Sequence, residues 1–304
     1  MRIKTKGKIN HEDSDGVRRG GRAKQGALPV ARRVTRARSG EAVLIAVLKH
    51  AQQRPRPRAK QTKKNQYAVR FATGMAAELV KDLVPRMRGI AATAKRTARS
   101  ERGIKQLDVN FSTPSSGLVL GLSLKSVHIR EPKPPQRYTH NMKRNEEELR
   151  IEASGYHKRQ PYAVMIGVLF VPFDSCTDGK RQNPSSFGSW VRHLRPYTGR
   201  SGPHGEADRF ERIFVALYEP DGSALMFFDV ATAPPKNAKP RLDEGRRDSH
   251  ERPRGLLSYS QFLDEMYEEY LRRNSAAFHW DDGSEAPLEP NELPEGVSDS
   301  DSER

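Results

Sequence analysis

The chain has 304 residues, of which 35% are hydrophobic and 30% are charged, so its apolar share lies below that of a compact globular average. A single cysteine, Cys176, excludes an internal disulfide and any zinc site built from several cysteines. The basic excess behind the formal net charge of +16 lies in residues 1–100, which hold 26 Lys and Arg against 6 Asp and Glu.

The two ends of the chain differ in charge. Residues 1–65 are basic and carry little apolar pattern, which predicts a largely disordered N-terminal region. Within it, residues 54–64 read RPRPRAKQTKK and predict an extended cationic segment, because alternating prolines exclude a helix. Residues 275–304 predict an acidic disordered tail. The basic region indicates a nucleic-acid partner, the alternative being a leader that binds any polyanion.

The first predicted elements of the folded region, residues 66–274, are a helix and two strands. Residues 75–90 show apolar side chains at spacings of three and four, which predicts a helix that Pro85 interrupts. Residues 107–111 alternate in polarity and predict a half-buried strand. Residues 118–127 predict a longer strand that pairs back on the first.

The second half of this region predicts a crossover and further elements. A helix at residues 141–157 leads into the apolar run at residues 161–172, which predicts a strand covered on both faces and parallel to the strand before the helix. The remaining predicted elements are a short helix capped by Ser186, a hairpin of residues 212–218 and 225–230, and a helix capped by Ser258. The expected fold class is α/β, a mixed α+β domain with a central mixed sheet flanked by helices.

Two adjacent strands place unusual polar residues together. Asp108 alternates with Leu107 and Val109, and Ser123 and Lys125 share a face of the long strand. The face opposite theirs is expected to carry Leu118, Leu120, Leu122 and Leu124. A lysine in a strand this apolar is costly unless its amine reaches water, a carboxylate or a ligand.

These residues carry a family resemblance. The segment LDVNF, a turn, and then GLSLKS, with a helix bearing Glu78 before them and a helix and a buried strand after them, resembles the PD-(D/E)XK nuclease superfamily, which has the restriction-endonuclease-like fold. The resemblance implies that Asp108 matches the first acid, a ligand of Mg²⁺ for which Mn²⁺ substitutes. It implies that Lys125 orients or helps deprotonate the attacking water, and that Glu78 matches the acid of the preceding helix.

Ser123 occupies the place of the family's second acid, and a hydroxyl is a poor replacement for a carboxylate on a hard cation. In a subgroup of the family that reads (S/T)XK, the helix after the strand supplies the missing acid. With Leu149 at the centre of the inward face, Glu152 lies about 60° from it, Glu148 about 100° and Glu147 nearly opposite. The expected metal ligands are therefore Asp108 and Glu152, with Glu148 as second choice. The alternative is that these acids are solvated and pair with arginines of their own helix.

Other polar residues have simpler structural interpretations. His128, His140 and His157 lack the spacing of metal ligands, and Cys176 has no evident base nearby. Asp229 could face the same cleft, but capping of a turn is the simpler account. The tyrosine and arginines that could contact phosphate or a base are Tyr138, Arg137 and Arg159.

The leading hypothesis is a Mg²⁺-dependent endonuclease that hydrolyses DNA phosphodiester bonds, related to restriction or phage defence. No Walker, GxGxxG, HExxH or GxSxG pattern supports another chemistry. Two alternatives stay open: a catalytically inactive DNA-binding protein with the same fold, and a partner-docking protein. A homodimer is a further expectation, since enzymes that cut both strands often dimerise. The longest apolar runs are shorter than the roughly 20 residues that span a bilayer, so a cytoplasmic protein with no membrane partner is expected.

Overall fold

The structure is a computed structural model that describes residues 38–87, 90–94, 97–100, 103–114, 116–131, 136–179, 184–232 and 255–274. Its α-helices are α1 (Gly40–Ala51), α2 (Gln61–Leu83), α3 (Met142–His157), α4 (Ser186–Leu194) and α5 (Tyr259–Asn274). Its strands are β1 (Ala91–Ala94), β2 (Thr97–Ser100), β3 (Gly103–Gln106), β4 (Val109–Thr113), β5 (Gly117–Ser126), β6 (Val164–Pro172), β7 (Arg212–Tyr218), β8 (Leu225–Asp229) and β9 (Leu256–Ser258). Within this described part, no helix combines the length and the apolar character that a membrane span needs.

Seven of the described strands form one mixed sheet in the order β1-β4-β5-β6-β7-β8-β9, while β2 and β3 form a separate antiparallel pair. The β5, β6 and β7 strands run parallel, and the other neighbours in the sheet pair antiparallel. The residues of β6 are all buried, as expected for a parallel strand whose two faces are both covered by helices. The mixed α/β class, the antiparallel pairing of β4 with β5 and the α3 crossover to a parallel β6 are confirmed.

Helices cover both faces of the sheet and bury two separate apolar layers. On one face α1, α2 and α5 pack side chains such as Val43, Leu79 and Phe262 against the sheet. On the other face α3 and α4 do the same, with Leu149 and Trp190 at the centre. The alternation of a strand decides which layer each of its residues enters, so residues of β5 that face α3 are on the opposite side from α2.

The folded region begins earlier than the expected boundary at residue 66. Val43, Leu44 and Val47 of α1 have no exposed surface, and α2 starts at Gln61 rather than near residue 75. The expected extended segment at residues 54–64 is therefore wrong in its second part, because its last four residues open α2. Apolar side chains at helical spacing in α1 outweigh the basic composition of the region. The predictions for residues 1–37 and 275–304 lie outside the described residues.

The prediction that four leucines of β5 share one face is also wrong. Phe111 pairs with Leu120 but Ser112 pairs with Leu118, so β5 has an extra residue at Val119. Such a bulge reverses the alternation of side chains. Consequently Leu118 packs on the α3 side of the sheet. The other three leucines enter the layer under α2: Leu120, Leu122 and Leu124.

Candidate functional site

Asp108 lies immediately before β4 and is bound to β5. Its Oδ2 accepts the backbone N–H of Leu124 at 2.8 Å. Leu107 and Val109 pack in different apolar layers, so Asp108 is not the middle of a strand as the alternation predicted, and β4 begins at Val109. The short polar side chain instead binds the backbone of β5 at Leu124, the residue between Ser123 and Lys125 in the strand.

Ser123 and Lys125 point from β5 towards α3. Ser123 is buried, with 1% of its surface exposed, while 17% of the Lys125 side chain is exposed. The Lys125 Nζ donates to Oε1 of Glu152 at 2.6 Å and lies 3.7 Å from Oε2 of Glu148. The amine thus reaches both carboxylates and water, which satisfies the requirement that a lysine in an apolar strand imposes.

Glu152 reaches this pair because of the helical phase of α3. Leu149 is 2% exposed and anchors the inward face of α3, and Glu152 follows it by just under one turn. Its Oε2 accepts a hydrogen bond from the Ser123 hydroxyl, and its Oε1 accepts the bond from Lys125. The structure therefore places a carboxylate of the following helix beside Ser123, the residue that the resemblance aligns with the second acid. Its catalytic role stays a prediction.

The charges around Lys125 keep its amine protonated. Burial alone would lower the pKa of Lys125, but the carboxylates of Glu152, Glu148 and Asp108 together raise it above its usual value. In this arrangement the ammonium is a hydrogen-bond donor and a positive charge, not a base. The role of deprotonating water, one of the two that the resemblance implied, is therefore disfavoured.

The other acids of α3 partly follow the alternative interpretation of solvated helix residues. Glu148 accepts from Arg144 Nε at 2.8 Å, so its contact with Lys125 is secondary. Glu147 lies 3.8 Å from Lys143 on the outer face and is half exposed. Glu146 is buried and pairs with an arginine of the next turn at 3.2 Å. Only Glu152 among these four acids, all of which the structure describes, bonds to both Ser123 and Lys125.

Glu78 is not brought to this group of residues. It lies on α2, on the opposite face of the sheet from α3. Its carboxylate accepts from Arg38 Nη1 at 2.5 Å and from Lys81 Nζ at 2.6 Å. Burial would raise the pKa of Glu78, but these two cations lower it. The structure therefore does not bring Glu78 to the candidate site, because Arg38 and Lys81 bind its carboxylate on the α2 side of the sheet.

The remaining candidates have structural roles. Burial and then the charge of Arg54 lower the pKa of His128 to about 3, and its Nδ1 lies 2.7 Å from the hydroxyl of Tyr218. Burial raises the pKa of the Cys176 thiol, which leaves it unreactive. Asp229 accepts the N–H of Ala231 at 2.9 Å, as expected of a turn cap.

Several other predicted contact residues are held inside the protein. The Tyr138 hydroxyl donates to Asp174 at 2.9 Å, and Arg137 donates to the carbonyl oxygen of Pro184 at 2.5 Å. His157 lies 3.3 Å from the buried carboxylate of Glu211. The bonds of Tyr138 and Arg137 occupy polar atoms that the sequence offered for phosphate or base contacts, whereas Arg159 is exposed.

Tyr156 lies on the inward face of α3. It is fully buried, and its hydroxyl has no hydrogen-bond partner among the described residues. Burial raises the pKa of Tyr156, and the charges of Glu152 and Asp108 raise it further. It follows Glu152 by four residues, so the spacing that placed Glu152 could also have placed this hydroxyl beside the acids.

The donor set fits a hard divalent cation in type but not in number. Asp108 and Glu152 supply carboxylate oxygens, and Ser123 supplies a hydroxyl. Within the described residues, no group of three or more His, Cys, Asp and Glu side chains could hold a metal ion. Mg²⁺ is commonly bound through one or two carboxylates, with substrate phosphate and water completing the shell. The residues present therefore fit Mg²⁺ only as a site that a substrate would complete.

Comparison with known proteins gives no match: no family model, no curated protein and no solved structure is significantly similar to the chain.

Proposed function

We propose that the protein is a Mg²⁺-dependent endonuclease that hydrolyses DNA phosphodiester bonds. The observation that carries the proposal is the carboxylate of Glu152, which comes from α3 and meets Ser123 and Lys125 where a (D/E)XK acid is otherwise expected. Without Glu152, the site would offer Asp108 alone as a close carboxylate ligand, because Glu148 is engaged by Arg144.

The order of elements supports the restriction-endonuclease-like core. A helix, α2, precedes three antiparallel neighbours in the sheet, β1, β4 and β5, and the α3 crossover then leads to the parallel strand β6. This arrangement puts the two acids on elements that the resemblance requires, Asp108 before β4 and Glu152 on the helix after β5. The argument is from topology and residue chemistry together, since many functions share any one fold.

Each residue of the site has a task in this proposal. Asp108, Glu152 and the Ser123 hydroxyl would hold Mg²⁺, which supplies charge stabilisation at the scissile phosphate when bound. The Lys125 ammonium would orient the attacking water and stabilise negative charge that develops on the phosphate. Mn²⁺ would substitute, since the ligands are hard oxygens. The proposal includes a role of this nuclease in restriction or phage defence. It also includes a homodimer of the chain.

The test is cleavage of plasmid and short duplex DNA with Mg²⁺ or Mn²⁺, and with chelator as the control. We expect cleavage with the divalent ion and none with chelator, because the two carboxylates need a cation before phosphate can approach them. Single-stranded DNA and RNA, assayed in parallel, define the substrate class. Cleavage of every substrate in chelator would contradict the proposed metal dependence.

A variant series assigns the activity to this site. Asp108→Ala, Lys125→Ala and Glu152→Ala should each lower the single-turnover cleavage rate by about 10²- to 10³-fold or more, the loss typical for a group that stabilises transition-state charge. Glu147→Ala is the matched control on the same helix and should cleave at the parent rate, because it faces away from Lys125. Full activity in Glu152→Ala would exclude the helix acid as a metal ligand.

A second candidate is a DNA-binding protein that does not cleave. The observation that favours it is that Glu152, Ser123 and Lys125 already satisfy one another's hydrogen bonds. DNA binding that persists without divalent-dependent cleavage in any substrate would select this candidate over the nuclease.

A further inference from the structure

The connection between α1 and α2, together with the first turn of α2, carries exposed cations that form no ion pair within the described part of the chain. The side chains of Arg56, Arg58, Lys60 and Lys63 are all exposed. None of the four makes an ion pair with another residue in the described part of the chain. We call these four residues the basic strip. Since no acid of the described residues pairs with them, their charges are available to an external anion.

Arg54 fixes this connection at the end of β5. Its Nη2 donates to the carbonyl oxygen of His128 and lies 3.5 Å from the hydroxyl of Tyr138. His128 follows Lys125 by three residues, a distance of at most about 10 Å along extended chain. The basic strip therefore starts at the same end of the sheet as the candidate site.

The start of α2 is held at the same place. The ring of Tyr67 meets the ring of His128 edge-on at 5.0 Å, and the ring of Phe71 lies 4.4 Å from it. Burial lowers the pKa of His140, which lies just before α3; Glu131 opposes this shift and Lys64 adds to it. The first turns of α2 thus lie beside the loop that leads from β5 into α3.

The candidate site needs cations from outside itself. Asp108, Glu148 and Glu152 set three carboxyl groups against the ammonium of Lys125 and, at Glu148, the guanidinium of Arg144. Such a surplus of negative charge repels phosphate unless further cations lie nearby. The first turn of α3 offers two cations, but Lys143 and Arg144 already pair with acids of the same helix at 3.8 Å and 2.8 Å. Among the residues that the structure describes, the basic strip supplies positive charge at this end of the sheet that forms no ion pair.

We infer that the basic strip holds the phosphate backbone of a nucleic acid and leads it to the end of β5, where the candidate site lies. The inference rests on the proposed function for its partner and adds the surface on which that partner lies. Each strip residue that meets a phosphate releases condensed counterions, so the strip contributes affinity that falls with salt and does not depend on base sequence.

The experiment compares two arginine pairs in the full chain. Arg56→Gln with Arg58→Gln removes two charges from the strip. Arg192→Gln with Arg195→Gln removes two exposed arginines at the end of α4, outside the strip. Binding of a fluorescent DNA duplex is measured by anisotropy in chelator over a salt series. Chelator keeps the measurement independent of cleavage, and the thermal midpoint of each variant checks folding.

A plot of log affinity against log salt has a negative slope, and the strip pair should reduce its magnitude by about 2. Each duplex phosphate contact contributes about 0.9 to that magnitude. It should weaken binding at physiological salt by about tenfold or more, while the control pair leaves both values at those of the parent. Adding Lys60→Gln and Lys63→Gln should deepen the loss.

An unchanged slope in the strip pair, or equal losses in both pairs, would overturn the inference. Strip-dependent binding of anionic lipid vesicles with no DNA binding would overturn the choice of partner. A protein that fails to cleave but shows the strip-dependent slope would end the nuclease proposal and leave the binding surface supported.

Discussion

Two groups of charged side chains lie along α3, and they differ in how their charges are balanced. In the closed cluster, Glu211 accepts from Arg200 at 3.0 Å, from Arg273 at 3.3 Å and from the N–H of Met165 at 2.7 Å, with His157 at 3.3 Å. Every side chain of this cluster is at most 1% exposed. In the open cluster, Asp108, Glu148 and Glu152 surround Lys125 and are partly exposed.

The comparison indicates that the charges of the closed cluster stabilise the fold, whereas those of the open cluster are candidates for a functional role. A buried charge is tolerated when opposite charges lie beside it, as Glu211, Arg200 and Arg273 do in the closed cluster. Burial would raise the pKa of Glu211, but His157, Arg273 and Arg200 lower it. The open cluster instead keeps more acids than cations next to water, an arrangement that costs stability and is typical of sites that bind a cation.

The largest expected effect comes from opening the closed cluster. Glu211→Gln should lower the free energy of unfolding by about 3 to 5 kcal/mol, because it leaves Arg200 buried without a carboxylate and Arg273 with only Glu269 at 3.5 Å. Chemical denaturation at neutral pH measures the change. A loss below 1 kcal/mol would mean that water reaches these arginines, and the contrast between the two clusters would fail.

Much of the fold follows from the sequence because local patterns determine it. The nine apolar or small residues of β6, the alternation in β5 and the capping box in which the Ser258 N–H donates to Gln261 at 2.9 Å each use neighbours in the chain. The position of α1 does not follow in this way, since its packing depends on contacts with β8 and α2 that composition conceals. The bulge at Val119 likewise depends on the pairing partner, not on β5 alone.

The same distinction between local patterns and tertiary contacts applies to the residues of the candidate site. Glu152 could be placed from the sequence, because one helix turn relates it to Leu149 and the strand alternation relates Ser123 to Lys125. The position of Glu78 could not, because Arg38 lies 40 residues away and decides where its carboxylate points. Local periodicity predicts the face of a residue, whereas the partner on that face comes from the tertiary structure.

A second prediction concerns the pH dependence of stability, which the buried ring of His128 should cause. His128 follows Lys125 by three residues but is closed to solvent. Its pKa of about 3 lies below the usual 6.5, so the unfolded chain binds more protons between these values. The stability from the neutral ring is therefore complete above pH 6.5 and is lost as the pH falls towards 3. Between pH 7 and pH 5 the loss should be about 2 kcal/mol.

His128→Asn should remove this part of the acid sensitivity, which denaturant titrations at both pH values measure. His50→Asn, at an exposed position of α1, is the control and should leave the loss attributable to His128 in place. Equal acid sensitivity in His128→Asn and the parent would show that the ring is protonated in the folded protein, and the interior would then be open at this point.

The smallest expected effect is the most informative about the open cluster. Glu152→Gln should change the free energy of unfolding by less than about 1 kcal/mol, because its pair with Lys125 is partly exposed and such pairs contribute little. Lys125 still faces Glu148 and Asp108 in the variant, and removing one of three acids reduces their mutual repulsion. Glu147→Gln, on the outer face of α3, is the matched control in the same denaturation series.

A loss comparable to that of Glu211→Gln would make Glu152 a structural partner of Ser123 and Lys125, and would favour the DNA-binding candidate. A small change in stability together with loss of cleavage would instead mean that the carboxylate is retained for the reaction, since folding does not require it.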